Sequence, residues 1–269
     1  MLHTKETLYA SKIFFNAALP LVKVIATDVP SLKSQFDKLT GVVQISALDP
    51  DTAGGKVATS FEITQGEWNV VLDSVHESPD VELQFKSLEA MNSFFAGKMS
   101  LGTLPKMKGV FSSFGLFKAF LMTLLKMSGL LGAKEPPKDE ETKILLVKSF
   151  FYLLSSGISQ LNKMGHEGIH DWALKSPDRV YSWAVDGYPQ ISAYLRVKAG
   201  QSRAGRGEYK RAMPFFTLRF NNLDSALGIL LDTDDMLEAL KAGRLIMDGA
   251  PEFGGQIGGF MLEIAALAK

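Results

Sequence analysis

The pattern with the most specific chemistry is His166-Glu167-Gly168-Ile169-His170. H-E-x-x-H on a helix sets two imidazoles four residues apart on one Zn²⁺, with the Glu as general base. Such a site needs a rigid helix, and Gly165 and Gly168 both weaken one. A third ligand would have to come from Asp171, Asp178, Asp186 or Glu208, and no His-x-x-G-x-x-His extension follows. The two imidazoles are therefore expected not to share a metal. A zinc hydrolase using His166, Glu167 and His170 stays as the least favoured reading. Gly254-Gly255-Gln256-Ile257-Gly258-Gly259 has neither the G-x-G-x-x-G order nor a Walker lysine, and reads as close packing at the start of the last helix. No G-x-S-x-G is present. Asp234-Asp235 sits at an expected helix start, where it complements the helix dipole. Lys198–Arg211 is locally basic and reads as a solvated hairpin tip or a contact for lipid headgroups or an acidic partner.

The elements that would position these residues belong to an ordinary globular chain. It has 269 residues, 46% of them hydrophobic and 22% charged. Lys+Arg and Asp+Glu are equal at 29 each, so there is no overall basic surplus for nucleic acid. There is no cysteine, which excludes disulfides, thiolate metal sites and cysteine nucleophiles. That absence fits a reducing compartment, and a cytoplasmic location is expected. The apolar run Ile13–Ala26 is broken by Asn16, Pro20 and Lys23 and lacks a cleavage site. The run Gly109–Gly132 carries Lys118 and Lys126 and reads as an amphipathic soluble helix.

The polar, Pro-Pro-containing segment 134–142 is the natural linker, giving domains over 1–133 and 143–269. In the first domain, helix is expected over Ala10–Lys38, broken at Pro20 and Pro30. Strands are expected at Val42–Leu48, Val57–Thr64, Trp68–Leu72 and Val81–Phe85, with turns at Gly54-Gly55 and Gln65-Gly66. Ser87 caps a helix that Gly97 stops. The second domain reads as a helix over Thr142–Asn162 and strands at Arg179–Val185, Ile191–Val197, Phe215–Phe220 and Leu227–Leu231. A helix from Thr233 then ends at Gly243. An ungapped alignment lays Val81 on Leu227, Ala96-Gly97 on Ala242-Gly243, Pro105 on Pro251 and Gly109 on Gly255, and predicts an internal duplication.

The helix after Gly109 carries Phe114, Phe117, Leu121, Leu124 and Leu125 at helical spacing. Taken alone, such a stripe is core more often than pocket.

The repeated unit resembles the sterol carrier protein type-two family, the sterol-binding domain. The resemblance rests on Glu67–Leu72, Val81–Gly97, Lys98–Gly109 and the helix to Leu131. In the second half it rests on Phe215–Phe220, Leu227–Gly243, Arg244–Gly249 and the helix to Leu267. The long spacing from Gly97 to Gly109, with Pro105 inside it, departs from the family pattern. The resemblance implies an α+β chain of two tandem sterol-carrier-like domains, each a mixed, roughly five-stranded sheet covered by helices. It also implies an apolar tunnel between sheet and helices and no catalytic centre. That turns the preference from core to pocket. The lining would be Phe95, Met99, Phe114, Phe117, Leu121 and Leu124 in the first domain. In the second it would be Leu240, Leu245, Ile257, Phe260 and Met261.

The expected function is non-enzymatic binding or transport of a lipid, fatty acid, acyl-CoA or sterol-like ligand, with no cofactor, no metal and no nucleic acid. Transient membrane contact and a homodimer are compatible with it. The alternative is a structural or assembly partner of a lipid-modifying enzyme, with no pocket of its own.

Overall fold

The computed structural model describes residues 3–268. The chain divides at Ser128 and Gly129 into two compact units. The first contains α1 (Lys5–Ile13), α2 (Leu21–Asp28), α3 (Pro30–Phe36), β1 (Thr40–Leu48), β2 (Lys56–Thr64), β3 (Glu67–Leu72), β4 (Val81–Phe85), α4 (Leu88–Phe95), β5 (Lys106–Lys108) and α5 (Phe114–Leu131). A π-helical turn, Phe14–Ala18, joins α1 to α2 ahead of Pro20, and Pro30 starts α3 where its missing N–H costs nothing. The second contains α6 (Glu140–Lys163), α7 (Glu167–Lys175), β6 (Arg179–Val185), β7 (Ala193–Lys198), β8 (Gln201–Arg206), β9 (Phe216–Phe220), α8 (Leu223–Leu230), α9 (Met236–Lys241), β10 (Leu245–Asp248) and α10 (Pro251–Leu267).

Both units carry a mixed five-stranded sheet of the same topology. The orders are β3-β2-β1-β4-β5 and β8-β7-β6-β9-β10. In each, three strands form an antiparallel meander. The fourth returns beside the first in parallel, as β4 on β1 and β9 on β6. The likeness of the two units extends to backbone detail. The β2–β3 turn places Gln65 and Gly66 at φ 49° and 86°, and the β7–β8 turn places Ala199 and Gly200 at 44° and 85°. Positive φ at both central residues suits the right-handed twist of a tight hairpin. Gly109 and Gly249, each just past the fifth strand, meet the backbone ahead of the fourth. A Cβ at Gly109 would overlap the Asp80 carbonyl oxygen, and one at Gly249 would lie 3.2 Å from the Phe215 carbonyl oxygen.

The register of the repeat differs from the ungapped alignment. Val81–Phe85 corresponds to Phe216–Phe220, and Gly109 corresponds to Gly249. Leu227–Leu231 is not a strand: it falls mostly in α8, which Asn222 caps by accepting from the Ser225 N–H at 2.9 Å. Gly97 and Gly243 both close helices, at φ 77° and 67°, but Gly243 closes α9, an element the first unit lacks. Phe215–Phe220 is the fourth strand of its sheet rather than the third, which is β8 inside the basic stretch.

Strand alternation gives the first sheet one apolar face. Val43, Ile45 and Ala47 lie beside Val81, Leu83 and Phe85 in register. The opposite face holds a buried polar cluster. Glu82 accepts from Ser46 Oγ at 2.7 Å, Gln44 Nε2 at 3.0 Å, Lys56 Nζ at 2.7 Å and Lys108 Nζ at 2.8 Å. Burial pushes the Glu82 carboxyl up, but hydrogen bonds from Lys108, Lys56, Ser46 and Gln44 outweigh it and hold the pKa at about 2. A carboxyl depressed in the folded state stabilises above its ordinary pKa, and that contribution is lost as pH falls from about 4.5 towards 2. Glu82→Gln is expected to cost about 2 kcal/mol at pH 7 and progressively less below pH 4. Urea unfolding across that pH range reads the difference.

Candidate functional site

In the first unit the space between sheet and helices is filled by aromatic rings. Phe61 of β2 and Trp68 of β3 both contact Phe120 of α5, at ring centroids 5.0 and 6.3 Å apart. Phe36 of α3 closes on Trp68 at 4.7 Å. All four rings are buried. Helix α5 therefore presents Leu116, Ala119, Phe120, Thr123 and Met127 inward.

This corrects the expected orientation. The stripe Phe114, Phe117, Leu121, Leu124 and Leu125 exists, but it lies on the outward flank. Phe114 and Leu125 are each 58% exposed, and Phe117, Leu121 and Leu124 are half-buried. Spacing fixes which residues share a stripe; contact with Phe61 and Trp68 selects the inner one. Met99 is 67% exposed in the loop after α4, also contrary to an inward position. Phe95 is half-buried among Phe14, Phe85 and Phe94.

In the second unit, Leu245, Ile257 and Met261 are buried, with Met261 Sδ accepting from Trp183 Nε1 at 3.4 Å. Phe260 and Leu240 are half-buried, and Phe260 meets Trp172 at 5.1 Å. The structure thus brings Ile257 and Met261 to the inner side of α10 as core, while the first-unit set lies largely outside the core. Open clefts among the described residues include two. One, of about 400 Å³, lies between Ser60, Val71 and His76; the other, of about 390 Å³, lies between Trp172, Arg179 and Phe253. Neither touches the predicted lining residues. In the second, the Arg179 guanidinium sits 4.0 Å over the Phe215 ring.

The structure leaves bare a loop from which only Met99 was expected to contribute. Between α4 and α5, Leu101 is 93% exposed and Phe111 is 99% exposed, with Leu104 and Met107 also exposed. Alternating Lys and apolar residues in this loop were the available signal.

The His pair is held by separate partners. His166 precedes α7 and its Nε2 meets Glu263 of α10 at 2.8 Å. His170 Nδ1 lies 3.0 Å from Asn162 Oδ1. Gly254 packs so that a Cβ would overlap Met247 Sδ, which accounts for the Gly-rich run by packing. Asp235 caps α9 through the Glu238 N–H at 2.9 Å, and Asp234 pairs with Arg244 at 2.8 Å. His3, Asp49 and Asp51 lie close enough to hold a cation. The Glu89 hydrogen bond raises the His3 pKa against burial, with Asp49 adding to it. Both His3 ring nitrogens already meet carboxylates, of Glu89 and Asp49, and Asp49 accepts from Asp51 N–H and Thr52 Oγ1.

No family model and no curated protein matches the chain. Similar solved structures include a crystal structure of sterol carrier protein 2, at 16% identity and TM-score 0.30, covering 44% of this chain and 95% of that one. Another is a UbiJ-SCP2 ubiquinone synthesis protein, at 18% identity and TM-score 0.28, covering 44% and 96%. A third is the stereoselective inverting sec-alkylsulfatase Pisa1 from Pseudomonas sp., at 13% identity and TM-score 0.27; the match covers 54% of this chain and 28% of that protein. By strand order, parallel first and fourth strands and helical cover, each unit of this chain is a mixed five-stranded α+β fold.

Two outcomes check the placement of these side chains. Phe120→Ala should cost about 3–5 kcal/mol in chemical denaturation, and Phe114→Ala no more than about 0.5. His166→Ala should cost about 1 kcal/mol through the Glu263 contact and leave the metal content unchanged by elemental analysis. About one zinc per chain, lost in that variant, would restore the hydrolase reading.

Proposed function

We propose that the chain binds or transfers lipid without catalysis, and that the outward stripe of α5 takes the acyl chain. The observation that supports this reading is the surplus of apolar surface on one helix. Of the 18 residues of α5, 33% are buried, whereas in an 18-residue apolar window of the N-terminal stretch Lys5–Asp28 and in one of α6, both comparable in apolar character, the share is 78%. All three are long and apolar enough to cross a membrane by length and composition. In α5, Phe117, Leu121 and Leu124 form a half-buried strip where an elongated chain leaves water, and each buried CH₂ contributes about 0.8 kcal/mol. Fatty acids, acyl-CoA and sterol-like molecules share that chemistry. The H-E-x-x-H imidazoles are held by separate partners, Glu263 and Asn162, which weakens the competing hydrolase reading.

A second reading has its own support. The aromatic packing of Phe36, Phe61, Trp68 and Phe120 fills the space where a tunnel would lie, which favours an assembly partner of a lipid-modifying enzyme without a pocket. Titration with a fluorescent fatty acid separates the two. Leu121→Glu should weaken binding at least about tenfold, a loss of about 1.4 kcal/mol, with little change in melting temperature. A wild type that binds no apolar probe transfers the assignment to the assembly partner.

A further inference from the structure

The segment from β5's approach to the start of α5 places its apolar side chains outward. Met99 is 67% exposed, Leu101 93%, Leu104 50%, Met107 55% and Phe111 99%. Single exposed apolar residues are ordinary, but five within one short loop are not.

The charge of the region has one sign. Between Glu89 and Glu135 there is no acidic residue, while Lys98, Lys106, Lys108, Lys118, Lys126 and Lys134 all fall there. Lys108 is engaged with Glu82. Among the described residues, Lys98, Lys106, Lys118 and Lys126 enter no ion pair. Lys86 is also exposed, and its Nζ reaches the loop, 3.4 Å from where a Gly102 Cβ would stand.

We infer that the 98–111 loop is a docking surface for an anionic phospholipid membrane. Protruding Leu, Met and Phe tips enter the headgroup–acyl boundary, and the lysines keep their ammonium groups at the phosphate level along apolar stems. A second copy of the chain fits less well, because a two-fold contact would set the same lysines against each other with no acid to answer them. Helix α5 follows this loop directly and is held to the sheet by Phe120, so docking brings its outward stripe to the bilayer without inserting the helix. The surface is distinct from the stripe to which the proposed function is assigned, and it stands whether or not that stripe carries a ligand.

The test is co-sedimentation of the full chain with phosphatidylcholine vesicles, with and without phosphatidylglycerol. Binding should require phosphatidylglycerol and fall steeply as salt rises from about 0.1 M to about 0.5 M, where screening shortens to a few ångströms. Leu101→Glu, Phe111→Glu and the Lys98→Glu/Lys106→Glu pair should each reduce binding to phosphatidylglycerol-containing vesicles at least about tenfold. None of these variants should change fatty-acid binding or melting temperature, so failure here is separate from failure at Leu121. Wild-type protein that ignores both vesicle types, or vesicle binding that survives Leu101→Glu and Phe111→Glu, overturns the inference. A dimer that Phe111→Glu disperses, with no vesicle binding, gives the surface to a second copy instead.

Discussion

One helix cannot bury two faces against one sheet, and α5 is apolar on two. The contact of Phe120 with Phe61 and Trp68 decides which face is used. That choice fills the interior of the first unit, fixes the rotation of α5, and turns Phe114, Phe117, Leu121, Leu124 and Leu125 outward. The outward stripe and the bare loop before it are consequences of the same packing. They leave apolar surface that a lone water-solvated domain would have little reason to keep.

The two units answer the same topology differently. The second inserts α9 ahead of its last strand and ends in a helix with Gly254 and Gly258 buried on the inner side. Gly254 lets α10 approach Met247 closely, and Gly157 of α6 faces Ile264 so that a Cβ would lie 2.9 Å from its Cδ1. Small residues line the close contacts of the second unit's last helix, where the first unit's last helix packs the large ring of Phe120 on Phe61 and Trp68. The two units share strand order and hairpin backbone and differ in their last helices.

Much of the architecture was legible. Alternation in β1, β2 and β4 and the Ser87 cap, which accepts from the Ala90 N–H at 3.2 Å, mark their elements in the chain itself. The Gln65-Gly66 turn did the same. Three features were not legible, each for a physical reason. Leu227–Leu231 is a short apolar run, which strand and buried helix share; only the Asn222 cap distinguishes them. β8 is an edge strand of Gln, Ser, Arg and Gly with one Ala, so it carries no apolar alternation to detect. The phase of α5 was open because both its stripes recur at helical spacing, and the deciding contacts come from strands far away in sequence.

The central claim is that this chain holds lipid rather than transforming it. The most direct measurement is to purify the full chain gently, extract it with organic solvent and identify the released molecules by mass spectrometry. The account predicts a lipid with an extended acyl or sterol-like body, recovered in amounts approaching the protein. Extracts free of lipid, from protein that also fails to take up added fatty acid, would contradict it.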